Sequence, residues 1–566
     1  MSIRTRSGLT GHGGLPGDAG GPGDGGGRGT PGGPSGTGGL GDTGRTGRTE
    51  RRRLTRWAGA CGLVAGALGV AAGELTAAAV SPSLSPITAV GGVAIDAMLP
   101  GVKDWAISLF GTSDKLAFLL AMCLVIAALA VLGGIVELRR KFTGLAGFAV
   151  FGIIGVVAVL TRAQSTTAAI APPLVAAGLA VVFLTAFRNR LLEWMPRDAL
   201  PGSTAAAGSS APGRRKFLTS IGVGAAVAVV AGFAATVVRS TAIGIAQARA
   251  NLVLPGPVTA VPPLPAGAAL ALPGIAPLVT PNADFYRIDT ALVVPSVNPD
   301  SWTLTVNGMV DHEVEIDLKT LLAKPLMENY TTLACVSNEV GGDLVGNAKW
   351  LGWPVRELLA LAGVQPGADM VLSRSTDGFT AGTPLEAMTD ARNAVIAVGM
   401  NGQPLPQEHG FPARLVVPGL YGFVSATKWV TSLTVTRFSD EKGYWSTRGW
   451  SDHGPIKTES RIDTPRDGTS LKTDTVAVGG VAWAPQKGIS KVQVRVDQGE
   501  WQDAVLGGGI SKDTWVQWTI RLSPGAGQHE LQVRAFDGAG QPQTDQVAQV
   551  VPDGATGYHT ITVHTS

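Results

Sequence analysis

Five long apolar runs occupy the N-terminal part of the chain. They cover residues 58–80, 116–136, 144–160, 168–187 and 217–238. Each approaches the ~20 residues that a helix needs to cross the hydrocarbon core of a bilayer. The stretch 81–115 is only moderately apolar, and Pro and Gly interrupt it, which favours an interfacial or re-entrant segment. The pattern therefore predicts five membrane helices, although Glu74 and the Pro172-Pro173 pair are unusual inside such runs.

Basic residues lie between the runs in an order that orients the helices. RRRLTR at 51–56 precedes the first run, ELRRK at 137–141 follows the second, and RNR at 188–190 and RRK at 214–216 separate the fourth from the fifth. Short cytoplasmic loops carry the excess of Lys and Arg. The alternation predicts five helices in the cell membrane, with the N-terminus inside and everything after about residue 239 outside. A sixth span would break this pattern.

The fifth run begins with a second charge feature. Arg214-Arg215-Lys216-Phe217-Leu218 introduce a mild, Gly/Ala-rich apolar segment. This resembles a twin-arginine export signal placed internally, and an ordinary cytoplasmic basic anchor is the alternative. Twin-arginine export carries folded proteins. Use of the signal would therefore require any cofactor to be inserted before the domain crosses the membrane.

The segments outside the runs differ in composition. Residues 1–50 are dominated by Gly with Thr, Pro, Asp and Arg, which predicts a disordered tail. Residues 239–280 are rich in Ala, Pro and Gly and are predicted to be a linker. From 281 to about 440 the pattern is that of a soluble α+β domain, with a hairpin signal at Asn307-Gly308 and short amphipathic helices such as 353–364.

Short alternating segments fill the chain after residue 445. They are typical of an antiparallel β-sandwich, and the spacing favours one of immunoglobulin type over 445–566, without an inter-sheet disulfide because this region holds no cysteine. The predicted fold is therefore a set of transmembrane helices, an α+β domain and an immunoglobulin-like sandwich. The net charge of +3 gives no reason to expect nucleic acid as a partner.

Cysteine use points to one position. The chain has Cys61, Cys123 and Cys335, too few for a disulfide framework, and only Cys335 lies outside the apolar runs, in TTLACVSNEVGG at 331–342. The seven histidines are scattered without zinc spacing. A soft metal whose other ligands come from a cofactor needs a single thiolate. A buried structural thiol is the alternative, and these residues alone leave both open.

Four blocks resemble one known family along the whole segment 281–566. They are TPNADFYRID (280–289), TTLACVSNEVGG (331–342), NGQPLPQEHGFPARLVVPGLYGFVSATKW (401–429) and GGVAWAPQKGISKVQVRVDQGEWQDA (479–504). The family is the sulfite oxidase family of molybdenum enzymes. The resemblance implies a molybdenum-molybdopterin cofactor with a single pterin, whose metal takes a cysteine thiolate, and a sandwich that mediates dimerisation in relatives. A homodimer is thus compatible with it.

The resemblance also implies which residues contact the cofactor. Cys335 matches the molybdenum ligand, and Arg287 matches a position that faces both cofactor and substrate; these two are the implied catalytic residues. His409 and Arg414 match the pair that holds the pterin and its phosphate, a task that suits the planar fork of arginine. The full set is Phe285, Tyr286, Arg287, Cys335, Ser375, His409, Arg414, Ser425, Thr427 and Lys428. The turn that carries the last three is one residue longer than expected.

One departure bears on the substrate. Sulfite-oxidising relatives carry basic residues shortly after the metal-binding cysteine, whereas this chain has Glu339-Val340, which suits a dianion poorly. We expect two-electron oxygen-atom transfer on a small molecule, with sulfite-like oxidation placed first. Reduction of sulfoxide-type substrates and a non-catalytic, membrane-tethered binding module are the alternatives.

The route of the electrons also follows from the sequence. No CxxCH haem motif is present, and His12 is the only histidine before His312, so the apolar runs offer no histidine pair for haem. We therefore expect a separate electron-transfer partner, such as a cytochrome or a membrane redox protein.

Overall fold

Long helices fill the N-terminal part of the chain. The structure is a computed structural model that describes residues 43–80, 85–96, 114–161, 167–195, 211–240, 243–291, 293–472 and 475–566. Residues 1–42 of the predicted tail, and residues 81–84 and 97–113 of the predicted interfacial stretch, lie outside the described residues, whereas residues 43–50 of the predicted tail are helical. The helices are α1 (Thr43–Val80), α2 (Pro86–Asp96), α3 (Asp114–Arg139), α4 (Thr143–Leu160), α5 (Ala171–Trp194), α6 (Ala211–Ser240) and α7 (Ile243–Asn251).

Five of these helices have the length and composition of membrane spans. The segments are Arg52–Val80, Ala117–Arg139, Thr143–Leu160, Ala168–Trp194 and Gly213–Ala235, which confirms the five predicted apolar helices. Pro172 and Pro173 lie in the first turn of α5, where proline costs no hydrogen bond. The carboxylate of Glu74 accepts a hydrogen bond from the backbone N–H of Ile87, at the start of the short α2.

The long helices contact one another through small residues and through a cluster of three aromatic rings. Gly62 of α1 and Gly134 of α3 approach so closely that neither has room for a Cβ, as is common where helices meet in a membrane. Near the basic residues, Phe217 of α6 lies against Trp57 and Trp194, with ring centroids 5.5 and 5.2 Å away. Apolar side chains of α3 and α6 point outward from the bundle, for example Leu124 and Val229. Such faces suit contact with lipid.

Two sheets build the domain that follows. Its strands are β1 (Thr303–Gly308), β2 (Val314–Asp317), β3 (Met327–Ala334), β4 (Val345–Pro354), β5 (Met370–Ser375), β6 (Thr380–Pro384), β7 (Val395–Met400), β8 (Gln403–Pro404), β9 (Arg414–Val416) and β10 (Val430–Thr436). One sheet has the order β2-β1-β10-β5-β6, in which β1 and β10 run parallel. The other has the order β3-β4-β7-β8, with β9 on β7. The predicted hairpin is the β1–β2 pair.

Short helices cover these sheets. They are α8 (Leu318–Leu322), α9 (Val355–Ala362) and α10 (Leu385–Thr389). Helix α9 buries Val355, Leu358, Leu359 and Ala362, the positions that share one face of a helix, and it ends at Gly363 with φ +70°. The amphipathic helix predicted over 353–364 is confirmed.

The C-terminal region consists of strands in two sheets. Its strands are β11 (Glu459–Thr464), β12 (Thr469–Leu471), β13 (Val476–Trp483), β14 (Ile489–Val496), β15 (Gln502–Asp503), β16 (Val505–Leu506), β17 (Val516–Leu522), β18 (Gly527–Asp537) and β19 (His559–Thr565). The orders are β11-β13-β17-β16 and β12-β19-β18-β14-β15. Buried residues of both sheets, such as Val478 and Val533, form one core. The predicted all-strand region is confirmed; the immunoglobulin type stays a prediction.

The predicted linker is an ordered strap across both regions. We use "the strap" for residues 252–280. Its backbone N–H groups donate to Leu326 O at Val258 (2.7 Å), to Gln517 Oε1 at Leu270 (2.7 Å) and to Asp463 Oδ2 at Ala276 (2.8 Å). The strap thus links the α+β domain to the β-rich region.

Candidate cofactor site

Cys335 lies in a tight loop between the neighbouring strands β3 and β4. It follows β3 directly, and its N–H donates to Leu344 O over 2.9 Å while its carbonyl accepts from the N–H of Asn338 over 3.1 Å. The Asn338 side chain closes the loop by accepting from the N–H of Leu344 at 2.8 Å. Burial raises the pKa of the Cys335 thiol, and hydrogen bonds from Ser337 oppose that rise. The sulfur is therefore protonated at neutral pH unless a metal stabilises the thiolate.

A cleft of about 110 Å³ opens beside this thiol. Seven of the ten residues predicted to contact a cofactor line it, and they are Phe285, Tyr286, Cys335, Ser375, His409, Arg414 and Lys428. These residues come from positions up to 143 apart in the chain, from Phe285 to Lys428. The structure therefore brings together most of the set implied by the resemblance.

The other three predicted residues lie just outside the lining. The Ser425 hydroxyl donates to the carbonyls of Leu420 and Tyr421 at 3.0 and 2.9 Å, and the Thr427 hydroxyl pairs with that of Ser373 at 2.7 Å. Ser425 thus stabilises the turn from within, and Thr427 ties the turn to β5. Arg287 is bound to a carboxylate, as described below.

Aromatic rings form one wall of the cleft. Phe285 stacks on Tyr286 with ring centroids 5.2 Å apart, and its ring edge meets Trp350 and His409 at 5.9 and 5.6 Å. The backbone of Gly346 passes so close to the Phe285 ring that a Cβ there would collide with it. Burial raises the pKa of Tyr286, so its hydroxyl is neutral and able to donate a hydrogen bond.

His409 and Arg414 are buried side by side. His409 Nε2 lies 3.0 Å from Asn282 O, so this nitrogen carries the proton. Burial, with the charge of Arg414, lowers the pKa of His409 to about 4, and the ring is neutral at pH 7. Arg414 donates to His409 O (3.2 Å) and Ala426 O (3.3 Å), and its guanidinium lies 5.0 Å from the centroid of Trp350.

Arg414 has no acidic partner among the described residues. Burial lowers its pKa to about 10, which still leaves it charged at neutral pH. A buried cation without a counter-charge is costly, and an anionic group in the cleft would compensate for it. The phosphate of a pterin cofactor carries the charge that fits this position.

A second group of charges includes a residue that the sequence did not single out. Asp289 Oδ2 accepts from Lys428 Nζ at 2.7 Å and from Arg287 Nε at 2.8 Å. Lys428 also donates to Glu408 O at 3.0 Å. Burial lowers the pKa of Lys428 to about 8, and Asp289 opposes that shift. The proximity of Asp289 to Arg287 in TPNADFYRID is the one signal that could have suggested it.

A second set of aromatic residues lines the cleft and was also missed. It is formed by Phe379, Phe423, Trp445 and Trp450, with Ile288 and Val336 nearby. Trp450 lies 6.0 Å from Phe423 and 6.1 Å from Trp445 between ring centroids. Trp445 and Trp450 lie close to the junction predicted between the two domains, where no pattern distinguishes a cleft residue from an ordinary packed aromatic.

The β-rich region contacts the cysteine loop through two side chains. Arg461 of β11 donates to Gly342 O at 2.8 Å and pairs with Asp463 at 2.6 Å. His559 of β19 packs against Gly341, where φ is +80° and a side chain would clash with the imidazole. The loop that carries Cys335 is therefore held by both regions of the chain.

The chain is similar to a known protein family and to several known proteins. The family model described as the oxidoreductase molybdopterin binding domain matches residues 291–445. Human mitochondrial sulfite oxidase is 31% identical over 320 residues, 48% of this chain and 58% of the human protein. The Bacillus subtilis oxidoreductase YuiH is 33% identical over 153 residues, 27% of this chain and 74% of YuiH.

The chain is also similar in part to a solved structure. The sulfane dehydrogenase SoxCD from Paracoccus pantotrophus aligns with a TM-score of 0.45 and 24% identity, over 51% of this chain and 81% of that one. The chain spans about 58% of the length of the first sulfite oxidases that it matches.

The fold and site define a molybdopterin-dependent oxidoreductase. A lone cleft thiol and a buried, unpaired arginine are the donors that such a cofactor needs, and the matching domain is named for the same cofactor. The chain belongs to the sulfite oxidase family of molybdopterin oxidoreductases.

Proposed function

We propose that this chain is a membrane-anchored oxidoreductase that transfers an oxygen atom to or from a small molecule with two electrons. The observation that carries this proposal is the placement of the Cys335 thiol in one cleft with His409 and the unpaired Arg414. The molybdenum-molybdopterin cofactor supplies the oxygen-atom transfer chemistry when it is bound. The protein supplies a metal ligand, a phosphate site and a shaped cleft.

Each residue has a distinct part in this proposal. Cys335 provides the thiolate for molybdenum. Arg414 binds the phosphate with its guanidinium, and the neutral His409, whose Nε2–H faces Asn282 O, can accept a hydrogen bond from the pterin at Nδ1. Phe285 and Tyr286 form the wall on which the cofactor rests. Ser375 lines the same cleft and offers a further hydroxyl.

Ser425 and Thr427 also shape the site. Ser425 closes the turn over residues 420–428 through its hydrogen bonds to Leu420 O and Tyr421 O, and Thr427 ties that turn to Ser373 of β5. This turn carries Lys428, so its shape fixes the position of the ammonium group relative to Arg287.

The cleft favours a neutral substrate over an anion. The sequence placed sulfite-like oxidation first, but Asp289 binds both Arg287 and Lys428, the cations expected to neutralise an anionic substrate. For a sulfoxide, the balanced half-reaction joins its oxygen with two protons and two electrons to give a sulfide and water. The electrons come from a separate redox protein, such as a cytochrome.

Metal analysis of the purified full chain tests the cofactor. We expect about one molybdenum per chain, as the family implies, and a pterin after denaturation. Wild-type protein without either, purified under molybdenum-replete conditions, would contradict the enzyme and favour a membrane-tethered binding module. Retention of Cys335, His409 and Arg414 argues against that module.

Paired assays decide the direction. Sulfite with ferricyanide measures oxidation, and reduced viologen with a panel of sulfoxides measures reduction. Turnover in the second assay alone is expected from the charges of the cleft. Turnover with sulfite alone would instead favour sulfite-like oxidation, which the sequence suggests first.

The location is part of the proposal. The basic residues at 51–56, 137–141, 188–190 and 214–216 support an inside N-terminus and an extracytoplasmic catalytic domain. Reporter fusions after residues 141, 165, 205 and 245 test this topology, and an inside signal at 245 would contradict it. Replacing Arg214-Arg215 by two lysines tests twin-arginine export, since the charge is retained but the motif is lost.

A further inference from the structure

Three charged groups form a cluster, two of whose members, Asp289 and Lys428, line the cleft. The two cations, Arg287 and Lys428, share a single oxygen, Oδ2 of Asp289. The side chains of Lys428 and Asp289 are 9% and 4% exposed, whereas that of Arg287 is 37% exposed. The carboxylate is therefore the buried centre of the cluster, and the cations hold it from two sides.

This cluster removes positive charge from the place where an anion would need it. Lys428 and Arg414 are the cations among the described residues that line the cleft, and Asp289 and Asp377 are its carboxylates. Asp377 accepts hydrogen bonds from the Phe379 N–H and the Thr290 hydroxyl, at 3.2 and 3.3 Å.

Once Arg414 binds the cofactor phosphate, the lining that remains carries no excess of positive charge. Lys428 is then balanced by Asp289, and Asp377 adds a negative charge. A divalent oxyanion would lose its hydration without gaining a counter-charge, which is unfavourable in a buried site.

The aromatic residues of the lining favour the same kind of substrate. Trp445, Trp450, Phe379 and Phe423 present rings to the cleft. Rings of this kind stabilise apolar groups by burial. A substrate that combines an apolar substituent with an uncharged oxygen-bearing centre fits this lining.

We propose that Asp289 sets the charge selectivity of this cleft by holding Arg287 and Lys428 in one ion-pair cluster, so that the site takes neutral, apolar oxygen donors or acceptors and excludes divalent oxyanions. Asp289 is a specificity-determining residue in this proposal, which rests on the proposed function. Removal of its charge should convert the cleft into an anion site.

The test is Asp289→Asn, which keeps the shape of the side chain. Sulfate is the probe, because it is a dianion that does not react, and its binding to the full-length holoenzyme is measured by calorimetry in slightly acidic buffer to keep Lys428 protonated. We expect sulfate to bind at least tenfold more tightly to the variant than to wild type.

Asp390→Asn is the matched control. Asp390 pairs with Arg392 at 2.8 Å, and neither residue lines the cleft, so this variant makes the same change in net charge elsewhere. Sulfate binding should match that of wild type. The double variant Asp289→Asn/Arg287→Gln should lose much of the gain, since the freed arginine is removed with its partner.

Three results would overturn the proposal. They are unchanged or weaker sulfate binding by Asp289→Asn at full molybdenum content, an equal gain in Asp390→Asn, and loss of molybdenum confined to Asp289→Asn, which would make Asp289 a cofactor-site residue instead. Arg287→Gln alone gives an independent check, because it leaves the charge of Asp289 to balance Lys428 alone, and sulfate binding should not rise above that of wild type. Failure of the proposed function is distinct, since wild type itself would then lack molybdenum.

Discussion

Substitution of Arg461 tests how far the β-rich region stabilises the cysteine loop. Arg461 joins Asp463 to the carbonyl of Gly342, seven residues after Cys335, and the two side chains are 11% and 7% exposed. Removal of one partner of a buried ion pair typically costs ~3–5 kcal/mol. Asp463 keeps its hydrogen bond from the N–H of Ala276, which lessens the loss. We therefore expect Arg461→Met to lower the free energy of unfolding by about 3 kcal/mol.

The chain offers a closely matched control for this variant. Arg437 also pairs with an aspartate, Asp440 at 3.6 Å, and also donates to a glycine carbonyl, Gly367 O at 2.9 Å. Its pair is exposed, at 45% and 52%, so Arg437→Met should cost no more than ~1 kcal/mol.

Denaturant unfolding and hydrogen exchange together check the reasoning. The N–H groups of Gly342 and Leu344, which donate to Glu339 O and Asn338 Oδ1, should exchange faster in Arg461→Met. They should keep their wild-type rates in Arg437→Met. Equal destabilisation by the two variants, or unchanged exchange in the loop, would refute the claim that the β-rich region holds the metal-binding loop.

Three further predictions follow from the site and its surroundings. Burial raises the pKa of Glu459 to about 8 from 4.5. The native state is therefore more stable at acid pH than at alkaline pH, and this stability is lost as the pH rises from 4.5 to 8. Glu459→Gln should flatten the pH dependence of the free energy of unfolding in that window. Arg414→Lys removes the planar fork, and molybdenum and pterin content should fall together while the protein still folds. Trp450→Ala should raise the KM for aryl sulfoxides about tenfold and leave that for dimethyl sulfoxide nearly unchanged, since burial of an aromatic group against the ring contributes ~1–2 kcal/mol.

Local patterns predict the elements of this chain well. Apolar runs of sufficient length predict the five long helices, and alternation predicts the strands after residue 445, because both depend on neighbours within a few positions. The cysteine loop is identified by a block of residues that the family shares. Seven residues of the implied set do line one cleft, and Cys335 is among them.

The strap shows what local patterns leave out. Its Pro, Gly and Ala content predicts only a linker, yet Gln517 and Asp463 accept hydrogen bonds from its backbone from about 190 to 250 positions away. Nothing within residues 252–280 encodes those partners.

Within the site, Asp289, Trp445 and Trp450 are likewise residues that local patterns do not predict. The fold brings Lys428 next to Asp289 and Phe423 next to Trp450, and the roles of these residues in the cleft depend on such contacts. An aspartate and two tryptophans in a soluble domain have many ordinary roles, so their types and spacing carry no signal.

X-ray absorption at the molybdenum edge tests the central claim most directly, because it counts the atoms bound to the metal. The account predicts that the purified full-length protein holds molybdenum with sulfur ligands, and that Cys335→Ser keeps the metal but loses one sulfur from its coordination shell. An unchanged number of sulfur ligands in Cys335→Ser would contradict the assignment of Cys335 as the protein's ligand to the metal.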